Sequence, residues 1–387
     1  MRMDYRNQRE ELMKKLLFLA LAMGLTLVTN AFAQAPNFDD PKEFARQREL
    51  LKVKPMGPEG KPWEQYLVDG MKDTSKFKKD GPYTICFSNA GVNNPWRVVG
   101  YTDMQQEVKL HSDIKELIHV DAQGSDEKQI ADINDLLNGG KCSLLIVAPN
   151  TTAALTPAVE KACAKLPVIV FDRGVTTTCP ITFVHPIGGY AFGILGAEFV
   201  ASKVPKGSNV LMLRILPGVD VLENRYAAGK RILTEAGMKI VGAEFTDGDN
   251  AKTKSIVEDY LQRGKIDAVW MDAGATSVAA IEAFQDSGND VPVFVGEDQQ
   301  DYLQKWKELK LTAIAPTYPT YQWRTAIIAA LHVLKGEPVP GPEWILPQPA
   351  ITQDTLDKYV NTSMPPLHYA FCGCENMPNY PAAWMHK

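Results

Sequence analysis

Histidine is scarce in this chain, and its few copies are not arranged to bind a metal. The six histidines are His111, His119, His185, His332, His368 and His386. None of them forms the H-x-x-x-H or H-x-H spacing that places two imidazoles on one metal ion. A zinc hydrolase is therefore not expected.

Other sequence signatures of catalysis and of nucleotide binding are also missing. The chain contains no G-x-S-x-G nucleophile elbow, no phosphate-binding loop ending in G-K-[ST], and no G-x-G-x-x-G after a strand. The net charge is −5 and no long basic run occurs, which argues against a nucleic-acid partner. The sequence predicts a protein that is not an enzyme and needs no cofactor.

The chain also lacks a long apolar segment of the kind that crosses a membrane. Its most apolar stretch, Leu16–Val28, is too short for a comfortable span and lies between Lys14-Lys15 and Ala31-Phe32-Ala33. A basic start, an apolar middle and an A-x-A site are typical of a secretory signal, so we predict that residues 1–33 are removed after Ala33. Translation could begin at Met1 or at Met13. No cysteine follows the small residues, so we expect a soluble exported protein without a lipid anchor.

Export makes disulfide bonds permissible for the six cysteines. Cys86 lies in a predicted strand and is expected to be a buried free thiol. Cys163 and Cys179 flank another predicted strand and could close a short loop. The segment Cys372-Gly373-Cys374 is too tight for an unstrained bridge, and a zinc site would need a second pair of ligands that the sequence does not offer.

What the chain does contain is a regular alternation of strand and helix patterns. Its 387 residues are 45% hydrophobic and 22% charged, which suits two domains of usual size. Residues 34–81 form a charged N-terminal extension with helical patterns at Pro41–Leu51 and Trp63–Met71. From Pro82 the alternation begins, and a second series of similar build starts after His185-Pro186. This order predicts an α/β fold with two doubly wound parallel-sheet lobes.

One buried strand carries the most informative side chains. The apolar run Val168–Phe171 ends at Asp172-Arg173-Gly174. Ligands of an open parallel sheet bind outside the carboxyl ends of its strands. A carboxylate accepts hydrogen bonds and a guanidinium donates several, so the pair suits a ligand rich in hydroxyls. An ordinary surface ion pair explains the same two residues equally well.

Short motifs along the chain, taken in order, resemble those of a known family. They are Asn93-Asn94-Pro95-Trp96-Arg97, Phe171-Asp172-Arg173, Asn224-Arg225, Val295-Gly296-Glu297-Asp298 and Leu334-Lys335-Gly336-Glu337-Pro338. Together they make the chain from about Tyr83 to Tyr359 similar to the periplasmic sugar-binding proteins of bacterial ABC transporters, in the ribose-binding-like group.

The chain departs from that family at three positions. Arg97 stands where ribose binders carry a second aromatic residue, and the Trp96-Arg97 pair is similar to the galactofuranose-binding members. Asp272 stands where an asparagine is expected, and Thr317 stands at the position of the family's hinge glutamine. These changes concern the identity of the ligand, so a furanose or another sugar or polyol stays compatible.

The resemblance implies two lobes that close on a hinge of three crossing segments. We place these segments near His185-Pro186, Pro316–Thr320 and Leu346-Pro347. The N-terminal lobe would comprise residues 82–185 and 318–345, and the C-terminal lobe residues 186–317 and 346–365. Residues 366–387 would form a C-terminal tail outside the family pattern.

The resemblance also implies a ligand site between the lobes, in which Trp96 lies against the apolar face of a sugar ring. The polar residues of this expected site are Asn89, Asn94, Arg97, Asp172 and Arg173 of the first lobe, and Arg225, Asp272, Asp298 and Thr317 of the second. The residues alone leave alternatives open. Arg225 could pair within its own helix, Trp96 could be a core residue beneath the extension, and the ligand role of Asp272 rests on position only.

The implied function is that of an exported receptor, expected to be a monomer, which captures a sugar or polyol and delivers it to an ABC transporter permease and its ATPase. A sensory protein that presents a sugar, a sugar acid or a nucleoside to a membrane chemoreceptor or kinase would use the same site. Neighbouring genes would distinguish transport from sensing.

Overall fold

The structure of this chain is a computed structural model, and it describes residues 38–384. The predicted signal segment, residues 1–33, lies outside the described residues. The helices are α1 (Pro41–Leu50), α2 (Pro95–Lys109), α3 (Asp126–Gly139), α4 (Thr152–Cys163), α5 (Gly189–Lys203), α6 (Asp220–Glu235), α7 (Asn250–Arg263), α8 (Ser277–Asp286), α9 (Gln300–Leu309), α10 (Gln322–Lys335) and α11 (Leu356–Tyr359). The strands are β1 (Met71–Lys72), β2 (Tyr83–Asn89), β3 (Ile114–Asp121), β4 (Leu144–Ala148), β5 (Val168–Phe171), β6 (Thr182–Pro186), β7 (Asn209–Arg214), β8 (Lys239–Phe245), β9 (Ala268–Met271), β10 (Val293–Val295), β11 (Ala313–Pro316), β12 (Val339–Pro340), β13 (Glu343–Leu346) and β14 (Ala350–Ile351). In this described part of the chain, no helix combines the length and the apolar character that crossing a membrane requires.

Two six-stranded sheets form the framework of the fold. The first has the order β13-β6-β5-β4-β2-β3, and all its strand pairs are parallel. The second has the order β14-β11-β10-β9-β7-β8 and is parallel except for the edge pair of β11 and β14. Strands β1 and β12 form a small antiparallel pair. The predicted α/β fold with two parallel-sheet lobes is confirmed.

The central strands of each sheet are buried on both faces, which explains why β4, β5 and β9 read as continuous apolar runs, whereas the edge strands β3 and β8 are partly exposed. Successive side chains of a strand point to opposite faces. In β2, Ile85 and Phe87 therefore pack into the cluster that includes α10 residue Trp323, whereas Cys86 packs into a separate cluster formed with α3 and α4. All four side chains are fully buried. The second sheet is covered in the same way, by α5 and α6 on one face and by α7 and α8 on the other.

The chain passes between the two sheets three times. Helix α5 packs on the second sheet and α10 on the first, so the crossings are residues 187–188, 317–321 and 347–349. The side-chain amide of Gln348 donates to the carbonyl oxygens of Thr317 at 2.9 Å and Gly188 at 3.1 Å, and its oxygen accepts from the Gly188 N–H. One side chain thus ties the three crossings together. The lobe limits given above stay predictions.

The N-terminal extension contacts both lobes. Its helix α1 is confirmed, and Phe44 of this helix packs edge-on against Tyr190 of α5 with ring centres 5.9 Å apart. The prediction of a helix at Trp63–Met71 is wrong. Only a 3-10 turn forms there, at Pro62–Glu64. Beyond it, Leu67 donates its N–H to the Ile345 carbonyl at 2.9 Å, a pairing between segments that a helix would not allow.

All six cysteines are paired, in three disulfide bonds. The predicted Cys163–Cys179 pair is confirmed. The expectation of a free thiol at Cys86 is wrong, because Cys142 lies just before the neighbouring strand β4 and bonds to it, with a Cα–Cα distance of 5.5 Å. The expectation that Cys372 and Cys374 stay unbonded is also wrong. Gly373 has φ +63° and turns the chain back, which brings their Cα atoms to 5.1 Å.

Candidate functional site

A cleft of about 180 Å³ lies at the carboxyl ends of strands from both sheets. Six of the ten predicted site residues line it, namely Asn94, Trp96, Arg97, Asp172, Arg173 and Arg225. Glu297, Tyr318 and Tyr369, which were not predicted as site residues, also line it. The cleft is therefore formed by both lobes, by the second crossing segment and by the C-terminal tail.

Asp172 and Arg97 form a buried ion pair on the first-lobe side of the cleft. Their closest atoms, Oδ2 and Nη2, are 2.9 Å apart, and each side chain is about 5% exposed. Asp172 directly follows β5 with φ +68°, a backbone conformation that aspartate adopts more readily than most residues, and its carboxylate faces Arg97. Burial lowers the pKa of Arg97, and the charge of Asp172 opposes that effect.

The start of helix α2 supplies the aromatic face of the cleft. Asn94 caps this helix, and its side-chain oxygen accepts the Arg97 N–H at 3.0 Å. Trp96 follows on the first turn, and its indole N–H donates to the Tyr318 carbonyl at 2.8 Å. Its ring packs against the rings of Tyr318 and Trp323, with centres 5.7 and 5.6 Å away. Trp96 is only partly buried and contacts the cleft rather than lying wholly in the core.

Arg225 of α6 supplies the positive charge on the second-lobe side. Its Nη1 donates to the Asp272 carbonyl oxygen at 2.6 Å and to Glu297 Oε1 at 3.1 Å. The ion pair therefore joins α6 to the end of β10 and does not lie within the helix. Glu297 Oε2 accepts the N–H of Gly274 at 3.1 Å. A Cβ atom on Gly274 would come within 2.7 Å of the Glu297 Cβ, so this close approach requires glycine.

Arg173 gives the cleft a third guanidinium. It donates to the Asn150 carbonyl oxygen at 2.5 Å, and no ion pair to it occurs within residues 38–384. The charged side chains that line the cleft are thus three arginines and two carboxylates, Asp172 and Glu297. Most donors of Arg173 are left to bind other acceptors.

Four predicted residues do not line the cleft. Asn89 is buried within β2 and accepts from Arg97 Nη1 at 3.2 Å, and Thr317 donates its hydroxyl to the Pro349 carbonyl at 2.6 Å. Asp272 accepts the N–H of Ile215 at 2.8 Å. Asp298 accepts the N–H of Phe371, also at 2.8 Å. These side chains hold together the segments that surround the cleft.

The two buried aspartates have unusual protonation behaviour. Burial raises the pKa of Asp272 to about 7 and that of Asp298 also to about 7, and the nearby charge of Glu297 acts in the same direction. One oxygen of each, Oδ2 of Asp272 and Oδ1 of Asp298, has no hydrogen-bond partner in the described part of the chain. Neither carboxylate is positioned as an exposed ligand-binding anion.

Three residues that line the cleft, Glu297, Tyr318 and Tyr369, were not predicted, and the sequence offers a different clue for each. Glu297 lies within the Val295–Asp298 motif, one position before the aspartate that was chosen. Tyr318 lies beside Thr317 in the crossing segment. Tyr369 lies in the tail, where neither a periodic pattern nor the family resemblance pointed to it.

The chemistry of the cleft is that of a binding site for a small polar molecule. Aromatic rings, two buried ion pairs and the guanidinium of Arg173 line a small cavity, and an apolar lining with a few fixed polar groups is typical of a ligand pocket. The fixed guanidinium and carboxylate groups suit the donors and acceptors of several hydroxyls.

Comparison with known proteins gives a family match over most of the described chain. A family model described as "Periplasmic binding protein domain" matches residues 85–338. The chain is 30% identical over 259 residues to the ribose import binding protein RbsB of Bacillus subtilis (strain 168). That alignment covers 66% of this chain and 83% of the relative.

Solved structures give the same architecture. The ABC transporter solute binding protein from Bacillus halodurans C-125 with bound myo-inositol has a TM-score of 0.64 and 22% identity, over 73% of this chain and 98% of that chain. The binding protein of the arabinose ABC transporter from Shewanella sp. ANA-3, bound to L-arabinofuranose, has a TM-score of 0.63 and 22% identity, over 71% and 93%. At these identities the likeness shows a shared fold.

Proposed function

This chain belongs to the periplasmic binding protein family, and we propose that it captures a sugar or polyol between its two lobes and delivers it to an ABC transporter permease and its ATPase. Binding, not catalysis, is the proposed activity. The Bacillus subtilis relative is a ribose import binding protein, which favours transport over presentation to a chemoreceptor or kinase. The family works outside the cytoplasm, and the predicted signal at residues 1–33 favours the periplasm.

One observation carries this proposal. Two buried ion pairs, Arg97–Asp172 from one lobe and Arg225–Glu297 from the other, line the same cleft beside Trp96. A sugar has an apolar face for the indole and a rim of hydroxyls for the charged groups. Burying such groups is favourable when a ligand completes their hydrogen bonds and excludes water.

Closure of the lobes follows from the same geometry. A ligand that contacts both ion pairs gains its full set of contacts only when the lobes are together, so it favours the closed state. The three crossing segments, joined through Gln348, are the proposed hinge. Asn94, Trp96, Arg97, Asp172, Arg173 and Arg225 are proposed to contact the ligand. Asn89, Asp272, Asp298 and Thr317 are proposed to hold these residues in place.

Titration calorimetry on the mature protein tests the proposal. The panel comprises D-ribose, L-arabinose, D-galactose, myo-inositol, a sugar acid and a purine nucleoside. We expect at least one neutral sugar or polyol to bind with a Kd of roughly micromolar, about −8 kcal/mol. Failure of every neutral member to bind, or binding of the nucleoside alone, would overturn the proposal.

A further inference from the structure

The C-terminal tail reaches the ligand cleft, although it lies outside residues 85–338 that match the family. We use the name tail strap for residues 366–374. Within it, Tyr369 lines the cleft and is 4% exposed. Its hydroxyl donates to Glu297 Oε2 at 3.4 Å, on the same carboxylate that pairs with Arg225. One tail side chain is therefore a direct neighbour of the second-lobe ion pair.

The tail strap is fixed to the second lobe by backbone hydrogen bonds. The N–H groups of Gln300 and Asp301 donate to the carbonyl oxygens of His368 at 2.9 Å and Pro366 at 2.8 Å. Gln299 and Tyr369 form an antiparallel bridge. These bonds run along the start of helix α9, so the position of Tyr369 is set by main-chain contacts on both of its sides.

The tail strap also contacts the first lobe and the crossing region. The Phe371 carbonyl accepts the Tyr321 N–H at 3.2 Å, and the Gly373 carbonyl accepts from the guanidinium of Arg324. Cys372 packs in a cluster with Val99 of helix α2. Contacts with both lobes beside the cleft make the tail strap part of the wall that closes it.

The tail strap covers Asp298 and leaves its neighbour Glu297 facing the cleft. Asp298 is fully buried, and its Oδ2 and its carbonyl oxygen accept the N–H groups of Phe371 and Ala370, both at 2.8 Å. Glu297 lines the cleft together with Tyr369. The side chains available to a ligand on this side are thus a glutamate and a tail tyrosine.

We propose that the tail strap forms one wall of the ligand site and that Tyr369 is a specificity-determining residue within it. This inference rests on the proposed binding of a sugar or polyol. The phenol hydroxyl, now bonded weakly to Glu297, turns to a hydroxyl of the ligand, and Glu297 accepts a second one. The ring limits the size of the ligand at that end of a cavity of about 180 Å³.

Two substitutions at Tyr369 separate these roles. Tyr369→Phe removes only the hydroxyl. It is expected to raise the Kd of the tightest-binding panel sugar roughly three- to tenfold, which corresponds to the loss of one hydrogen bond. Tyr369→Ala opens the wall. It is expected to raise the Kd of that sugar by about tenfold or more. It is also expected to lower the ratio of the D-galactose Kd to the L-arabinose Kd, because the vacated space admits the larger hexose.

Tyr380→Phe is the matched control. Tyr380 is the tail tyrosine whose hydroxyl accepts from Asn361 at 2.8 Å, and it does not line the cleft. This variant also loses one hydroxyl from the tail and is expected to keep the affinity and the sugar preference of the wild type. Melting temperatures of the unliganded variants show that each one folds.

The results distinguish this inference from the proposed function. If the wild type binds no sugar or polyol of the panel, the proposed function fails and the inference with it. If the wild type binds and both Tyr369 variants keep its affinity and its preference, the proposed function stands and the inference is overturned. Equal losses in Tyr369→Phe and Tyr380→Phe would also overturn it, because they would assign the effect to the stability of the tail.

Discussion

The carboxylate of Asp298 accepts the backbone N–H of Phe371 at 2.8 Å, so a residue of the V-G-x-D motif is bound to this chain's own tail. The contact joins residues that are 73 positions apart and buries the acid completely. Burial favours the neutral form of Asp298 and raises its pKa, and the charge of Glu297 acts in the same direction, whereas the N–H of Phe371 favours the charged form.

This burial predicts a pH-dependent stability that depends on Asp298. Its pKa is raised from 3.8 to about 7, so the folded state binds more protons than the unfolded state between these values. The stabilisation is complete below about pH 4 and is lost as the pH rises through 7. Asp298→Asn keeps an oxygen that accepts the Phe371 N–H but cannot ionise. Its melting temperature relative to the wild type should therefore be several degrees higher at pH 8 than it is at pH 5.

Asp267→Asn is the control for that measurement. Asp267 has a lowered pKa, mainly through its bond to Lys265, so its contribution is lost only below about pH 4. The difference between this variant and the wild type should stay constant from pH 5 to pH 8. A relative melting temperature of Asp298→Asn that falls or stays flat over the same range would contradict the assigned environment of Asp298.

The planar guanidinium of Arg225 is expected to be required for tight binding of the sugar. Lysine keeps the charge but loses the planar fork that bonds to the Asp272 carbonyl and to Glu297. Arg225→Lys is therefore expected to raise the Kd of the tightest-binding sugar, measured by calorimetry, roughly ten- to a hundredfold. Arg231→Lys, on the same helix but half-buried outside the cleft and paired with Glu235, should leave the affinity unchanged. Equal affinities for the two variants would exclude Arg225 from the site.

The disulfide bond that closes the longer loop should contribute more to the free energy of unfolding. The Cys86–Cys142 pair has a sequence separation of 56 residues and the Cys163–Cys179 pair one of 16. Loop entropy gives contributions of about 4 and about 3 kcal/mol to the free energy of unfolding. In urea unfolding, the double alanine variant of the first pair should be the less stable. The reverse order would show that loop length does not decide these contributions.

Local patterns predicted the framework and the strand-end position of Asp172 and Arg173, and the family resemblance added Asn94, Trp96 and Arg97 on the first-lobe side of the cleft. Apolar runs marked the buried strands, and the strand-end position of Asp172 and Arg173 placed them at the sheet edge where Arg97 also lies. The tail was not predicted. The contacts of Tyr369 and Phe371 lie about seventy residues away along the chain, and no periodicity in the tail marks them.

The choice between Glu297 and Asp298 shows a second limit of sequence reasoning. The two acids are adjacent after β10, and only the course of the tail decides which one faces the cleft. The helix predicted at Trp63–Met71 failed for a similar reason. Pairing of Leu67 with Ile345, across 278 residues, outweighs the local pattern of Trp63, Tyr66 and Leu67.

A crystal structure of the protein with its tightest-binding panel sugar tests the central claim most directly. The account predicts electron density for one sugar stacked on Trp96, with hydroxyls bonded to the Arg97–Asp172 pair on one side and to Arg225 on the other. Density for the sugar at any other place, with the cleft between the lobes filled only by water, would contradict it.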